Sequence, residues 1–294
     1  MQLIHPDKPF FKGNLHMHTT NSDGVLSLQA AEERYLALGY DFIAITDHRK
    51  RTCDTHWREN MLVLAGIELD YTLPSQVVHL IGVGVDADVV QGGVLPPDPQ
   101  SAVNRINAGG GLAILAHPAW SLNTPETIMG LQGLAAAEIY NGVSAPPFSG
   151  DRADSANLLD VAAANGCVLN TVGADDSHYY RGEEGGAFIR VQADELNEQS
   201  LLAAIRQGRY HASCGPEIHS LRLEEGRVHV TCSPVTHIVF LSNAVWTPER
   251  NLTGPGLTQG SYTVTTGGHY PEKWVRVVLI DSQGRKAWSN PIIL

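Results

Sequence analysis

The sequence predicts an α/β unit followed by an all-β unit, and two observations carry this. From residue 13 to about residue 206, short apolar runs alternate with segments of helical spacing, and most of the apolar runs close on a polar residue. Past about residue 214 helical periodicity disappears, and short apolar stretches are separated by Gly, Pro and Asn turns. Seven or so strands interleaved with helices suit a closed barrel better than an open sheet. The second part suits a small β-sandwich. The expected division is residues 1–214 and 215–294, consistent with a 294-residue chain holding one large or two ordinary domains.

The opening strand carries Gly13-Asn14-Leu15-His16-Met17-His18. Side chains at i and i+2 of a strand share a face, so His16 and His18 project together while Leu15 and Met17 turn to the apolar side. Asp23-Gly24 is a turn signal that brings a carboxylate back beside them. Leu28, Ala31, Tyr35 and Leu38 recur at helical spacing, with Ser27 as the N-cap and Gly39 as the stop. Asp41 to His48, Met61 to Glu68, Val77 to Val83 (with His79 inside it) and Ala113 to Pro118 read as strands buried on both faces. A Pro/Gly-rich loop, Gln91 to Pro99, leads to a helix near Ser101–Ala108, and a short helix falls near Pro125–Leu131. A strand at Ala135–Asn141, a helix at about Arg152–Ala164 and a strand from Cys167 to His178 follow. A strand at Gly186–Val191 and a last helix at Gln199–Arg206 complete the first unit. Strands at Arg227–Cys232, Thr236–Leu241, Ser261–Val264 and Trp274–Ile280 make up the second.

Composition limits the function. The formal net charge of −11 argues against an extended nucleic-acid interface, which needs a basic footprint. No apolar run is long enough to span a membrane, and residues 1–9 lack the apolar core of a signal peptide. A cytoplasmic location is therefore expected. Cys53, Cys167, Cys214 and Cys232 form no C-x-x-C pair, so buried free thiols are expected rather than a zinc ribbon or redox motif.

The polar residues gathered at the ends of the apolar runs are His16, His18, Asp23, His48, Glu68, His79, His117, Asp176 and His178. With 13 histidines in the chain, chance supplies roughly half an H-x-H, so the first pair alone says little. Six histidines and three carboxylates at strand ends say more, because burying such a cluster is costly unless it coordinates something. Imidazoles with carboxylates suit a borderline divalent ion such as Zn, Mn or Fe. Three dications against three carboxylates would leave roughly +3 in a cleft, so an anionic substrate is compatible with the acidic chain.

The motifs N-L-H-M-H-T-x-x-S-D-G, I-T-D-H, G-I-E, H-L-I-G, A-H-P and D-D-S-H occur in order over residues 13–180, and this ordered set resembles the PHP (polymerase and histidinol phosphatase) superfamily. The resemblance implies a distorted (β/α)7 barrel with a two- or three-metal centre at the C-terminal ends of its strands, and hydrolysis of phosphate esters. It implies that His16, His18, Glu68 and Asp176 hold a first ion, and that Glu68 bridges to a second held by His79 and His117. Asp23, His48 and His178 would hold a third. Asp23 stands where the family often carries a histidine. Metal ions lower the pKa of bound water, and paired ions clamp the attacking and leaving oxygens. The expected activity is attack of a metal-bridging hydroxide on a small phosphate ester. Glu68, Asp176, His48 and His178 are the catalytic candidates, the last two as alternative proton donors. Asp47 and Asp175 are expected to orient ligands.

Arg49, Lys50 and Arg51 follow His48 and can meet a phosphate, and Trp120, Tyr140, Asn141, Tyr179, Tyr180 and Arg181 lie just past strand ends. Of these, Arg49, Lys50, Asn141 and Arg181 are the expected substrate contacts. The segment Ala203 to Pro216 and the ending Trp288-Ser289-Asn290-Pro291-Ile292 resemble a PHP subgroup with a C-terminal β domain. That subgroup includes relatives of a carbamate-insecticide hydrolase, so cleavage of a carboxylic ester or carbamate is the alternative. A non-catalytic, metal-stabilised binding module is a third reading. His211, His219, His229, His237 and His269 show no ligand spacing.

Overall fold

The apolar runs form strands of one continuously paired sheet, and its curvature gathers their polar ends. The structure, a computed structural model, describes residues 1–90, 94–268 and 270–294. Residues 91–93 of the predicted Gln91 to Pro99 loop, and His269, lie outside the described residues. The chain begins with β1 (Gln2–Ile4) and β2 (Phe11–Asn14), then α1 (Leu28–Ala37), β3 (Phe42–Ile45), β4 (His56–Arg58), β5 (Met61–Leu73) and β6 (Gln76–Val83). Next come α2 (Pro99–Ala108), β7 (Leu112–Leu115), α3 (Pro125–Gly130), β8 (Ala136–Asn141), α4 (Ala156–Ala164) and β9 (Thr171–Ala174). The side-chain oxygens of Ser27, Asp98 and Thr124 cap α1, α2 and α3, each accepting from a backbone N–H three residues on.

Strands β2, β3 and β5 are parallel, β5 and β6 form an antiparallel hairpin, β6 and β7 are antiparallel, and β7, β8 and β9 are again parallel. The residues after β9 return to those after β2. His18 N donates to Ser177 O at 2.9 Å, and Asp176 N donates to His16 O at 2.9 Å. This contact joins the first strand of the series to the last. Both faces of these strands are buried, as the continuous apolar runs predict. Phe42 and Ala44 pack in one core cluster with Leu62, Leu64 and α5 (Glu198–Arg206), whereas Ile43 and Ile45 pack with Ala31 and Tyr35 of α1. A third cluster seats α2, α3 and α4 against β6, β7 and β8.

The remaining strands are β10 (Phe188–Val191), β11 (Tyr210–Ser213), β12 (Ile218–Glu224), β13 (Arg227–Ser242), β14 (Asn251–Thr263), β15 (Trp274–Ile280), β16 (Lys286–Ser289) and β17 (Ile292–Ile293). β10 pairs with both β2 and β11, and β11 pairs with β16, which carries the pairing into the C-terminal strands. β1 pairs with β12, so residues 2–4 run with the C-terminal strands rather than with the N-terminal ones. The strands expected separately at 227–232 and 236–241 are one strand, β13. Pro234 suggested a break, but it lies where the ladder shifts register between Thr231 and Val235, and a bulge tolerates a missing N–H. Most of β14 is exposed and glycine-rich, so it carries no alternating apolar signal.

The two parts of the chain are fastened by side chains. Arg276 of β15 is buried and donates to Asp160 of α4 at 2.5 Å. Trp288 of β16 stacks on Tyr140 of β8, and Asn290 accepts from the Thr171 backbone at 2.8 Å.

Candidate metal centre

All nine strand-end residues converge. His16 and His18 lie beyond the last ladder residue of β2, where Met17 bridges Ser177, and Leu15 and Met17 are fully buried but in two different core clusters rather than on the one apolar side expected. Gly24 lets the Asp23 turn close over this segment, since a Cβ there would stand 2.3 Å from the His18 carbonyl oxygen. His117 and Asp176 have positive φ angles of 28° and 55°, a left-handed backbone that is costly outside glycine and turns each chain sharply at its strand end.

Four donor atoms lie close together. His16 Nε2 and His18 Nε2 are 3.2 Å apart. Each is 3.1 Å from Asp176 Oδ1, and they lie 3.3 and 3.1 Å from Glu68 Oε2. Three atoms spaced like His16 Nε2, His18 Nε2 and Asp176 Oδ1 can share an ion about 2.0 Å from each, the length of a zinc–nitrogen or zinc–oxygen bond. The other Glu68 oxygen, Oε1, faces His79 Nδ1 at 2.8 Å and His117 Nε2 at 3.4 Å. One carboxylate thus looks into two groups of donors. A third group forms around Asp23, with His178 Nε2 at 3.5 Å, His48 Nε2 at 3.6 Å and His18 Nδ1 at 3.5 Å. His18, predicted only for the first group, therefore also faces the third.

The donor set fits divalent ions. Asp176 Oδ1 and His48 Nδ1 are buried without a hydrogen-bond partner, although imidazoles and carboxylates surround them. Buried polar atoms left in this state are placed for a partner other than the protein groups around them. Protonation follows the same logic. Burial alone disfavours the His16 imidazolium, but Asp176, Glu68 and Glu138 outweigh it and raise its pKa well above the usual value. Burial likewise opposes charge on His178, and Asp23 and Asp176 overcome it, pushing the pKa up to about 9. Asp23 moves the other way: burial would raise it, but His178, His18 and His48 hold it at about 2. The cluster demands positive charge, which protons or metal ions can supply.

Residues that the sequence did not single out orient the ligands. Glu138 at the middle of β8 is fully buried; it accepts from His16 Nδ1 at 2.8 Å, from the His117 backbone at 2.7 Å and from Asn141 Nδ2 at 2.7 Å. Ser121 pairs with His117 Nδ1 at 2.8 Å, and Asp70 lies 3.6 Å from His48 Nδ1. Glu138 lies three residues before the noted strand-end Asn141, and its charge inside an apolar strand was the available signal. Asp47, expected to orient a ligand, instead binds Thr19 and Ser22, so it reaches His18 only through Ser22 Oγ. Asp175 accepts from Tyr35 and from the backbone of Gly185 and Ala187, and it ties down the loop after β9 instead of touching a ligand.

The cluster opens into a cavity of about 230 Å³ whose other lining residues are Trp120, Val143, Ser144, Ser149 and Tyr179. The residues expected to contact substrate lie elsewhere. Arg49 holds Asp70 through hydrogen bonds of 2.9 and 2.6 Å, Lys50 reaches Asn21 at 3.3 Å, and Arg181 is exposed. Asn141 is buried and donates to Asp176 Oδ2 at 3.1 Å, the placement of a ligand-orienting group. Tyr140 and Tyr180 do not line the cavity; the Tyr180 hydroxyl donates to the His18 carbonyl at 2.7 Å. Among the other histidines, none of His211, His219, His229 and His237 belongs to a metal-sized group.

No known family profile matches the chain. A stretch of 37 residues, 13% of this chain, is 51% identical to part of the DNA polymerase/3'-5' exonuclease PolX of Bacillus subtilis, and it spans only 6% of that protein. The whole chain superposes on a two-domain protein from Bacteroides vulgatus containing a predicted PHP-like metal-dependent phosphoesterase. That likeness has a TM-score of 0.55 and 15% identity, and covers 98% of this chain and 95% of that one. An amidohydrolase from Chromobacterium violaceum, with bound sulfate and no metal, is similar over 58% of this chain and 89% of its own at a TM-score of 0.44 and 16% identity.

Proposed function

We propose, from the PHP-like fold that the motifs and the superposition share, that the chain is a metal-dependent hydrolase of small phosphate esters. In this reading strands β2, β3 and β5–β9 are a distorted seven-stranded barrel and residues 215–294 are a β-sandwich domain. The observation that carries the reading is the cluster of His16, His18, Glu68 and Asp176, in which each imidazole Nε2 lies 3.1–3.3 Å from both carboxylates, set between two further donor groups. His79 and His117 would hold a second ion with Glu68, and Asp23, His48 and His178 a third. Two or three Zn, Mn or Fe ions there would supply activated water and electrostatic stabilisation of a developing negative charge.

The chain's own residues do the rest. Glu138 turns the Nε2 lone pair of His16 inward by accepting the proton on Nδ1. Asn141 fixes the Asp176 carboxylate by donating to its Oδ2, and Glu68 and Asp176 are both buried. His48 and His178, 25% and 18% exposed, stand between the cluster and the open cavity. Where no ion takes the third group, either imidazole can offer a proton to a departing oxygen. Arg49, Lys50 and Arg181 hold their charges away from the cavity and have no part in this reading.

A second reading, hydrolysis of a carboxylic ester or carbamate, is supported by one observation: no lysine or arginine is among the described residues lining the cavity. The test is metal analysis of the purified protein followed by turnover of 4-nitrophenyl phosphate, bis(4-nitrophenyl) phosphate and 4-nitrophenyl acetate. Phosphoester turnover that disappears with chelation supports the first reading, and acetate turnover alone supports the second. A metal-loaded protein that hydrolyses none of them overturns both and leaves a binding module. Among the described residues no helix is long and apolar enough to cross a membrane.

A further inference from the structure

The lining of the cavity beside the donor cluster has a chemistry of its own. Trp120, Val143 and Tyr179 supply its apolar surface, with the hydroxyls of Ser144 and Ser149 between them. The wall is braced. Trp120 Nε1 donates to Ser149 Oγ at 2.8 Å, and the indole meets the His117 ring edge-on at 4.9 Å. Tyr179, 46% exposed, stacks nearly parallel on Phe148 at 6.2 Å. Of the basic residues near His48 in sequence, Arg49 pairs with Asp70, Arg51 with Asp54 and the Val85 carbonyl, and the exposed Lys50 reaches Asn21; none lines the cavity.

We propose that this wall seats the departing half of the ester and selects a small, flat, uncharged group, such as a single aryl ring, over one that bears a further carboxylate or phosphate. The inference rests on the hydrolase reading above and adds its substrate class. A ring entering between Trp120 and Tyr179 replaces water with edge-to-face and offset-stacked contacts, whose geometry the braced indole already fixes. A second anionic group placed against Trp120 and Tyr179 would lose its hydration without meeting a lysine or arginine. The volume of about 230 Å³ accommodates a small group and not an extended one.

Probes that bind but cannot be cleaved separate this inference from the reading beneath it. Binding of phenylphosphonate, methylphosphonate and 4-carboxyphenylphosphonate to Mn²⁺-loaded protein is measured by calorimetry. Phenylphosphonate is expected to bind about tenfold more tightly than methylphosphonate. The added carboxylate is expected to cost about tenfold or more. Trp120→Leu and Tyr179→Ala are each expected to reduce the phenyl-to-methyl ratio to below about threefold. Tyr179 is half exposed, so its variant tests the wall even if the Trp120 variant does not fold. A wild-type ratio near one, a ratio unmoved in the folded variants, tighter binding of the carboxylated probe, or no binding of any phosphonate overturns the proposal. Phenyl preference without turnover of any ester sinks the hydrolase reading and not the wall's selectivity; turnover without preference does the reverse.

Discussion

Glu138 Oε1 accepts from His16 Nδ1 at 2.8 Å, inside the sheet and with both side chains fully buried. Its other oxygen takes the backbone N–H of His117 at 2.7 Å, so one carboxylate orients ligands of two neighbouring donor groups. Glu138→Gln keeps the shape but can offer an N–H to His16 Nδ1, which would turn a protonated Nε2 toward the cluster. Metal affinity should fall about 10–100-fold with little change in far-UV circular dichroism. Metal stoichiometry of the variant equal to wild type at limiting metal would contradict the assignment.

Removal of His117 tests the second donor group. Its imidazole is buried against Trp120 and Ser121, and its Nε2 faces Glu68 Oε1. His117→Ala should lose one metal equivalent and most activity while the chain stays folded. Retained activity at unchanged metal content argues against this residue as a ligand.

Ions that bind only the folded cluster must stabilise it. At a free concentration 1,000 times the dissociation constant the gain is about 4 kcal/mol. For a chain of this size that corresponds to a rise in the unfolding midpoint on the order of 10 °C. Scanning calorimetry before and after chelation measures it, and coincident transitions would show that the cluster holds no ion tightly.

His211 predicts an acid sensitivity far from the candidate metal centre. Burial holds its pKa at about 3, with Arg190 and His219 adding to the effect, and its Nδ1 has no partner. The unfolded chain takes up a proton near pH 6.5 that the folded one refuses. This contribution to stability is therefore complete above pH 6.5 and is lost as the pH falls toward 3. Relative to His211→Gln, the wild type should lose about 2 kcal/mol of unfolding free energy between pH 7.5 and 5. Denaturant titrations at the two pH values decide it; a constant difference means that His211 protonates in place.

The Asp160–Arg276 pair should be asymmetric. Arg276 is 1% exposed and Asp160 23%. Asp160→Ala strands a buried guanidinium and should cost about 3 kcal/mol, whereas Arg276→Met leaves a carboxylate that water can still reach and should cost less. Equal losses in urea unfolding would show that the pair contributes packing rather than charge compensation.

Strand ends with polar residues were readable because two-sided burial demands unbroken apolar runs, as in Phe42–Ile45 and Leu112–Leu115, and each break stands out. Gly24, the Ser27 cap and the Asp23 turn were readable for local reasons of the same kind. The exposed length of β14, the joining of 227–242 across Pro234 and the pairing of β1 with β12 were not, because they depend on partners far along the chain.

The sequence by itself determined the nine side chains and their order, since ligand chemistry and strand periodicity are properties of residue type and spacing. The tertiary structure alone decided that His18 also faces the third donor group, that the Glu138 side chain and not that of Asp47 or Asp175 holds the His16 ring, and that Arg49 pairs with Asp70. Hydrogen-bond partners and charge pairs are settled by distances between segments up to about 120 residues apart, and linear spacing does not encode those distances.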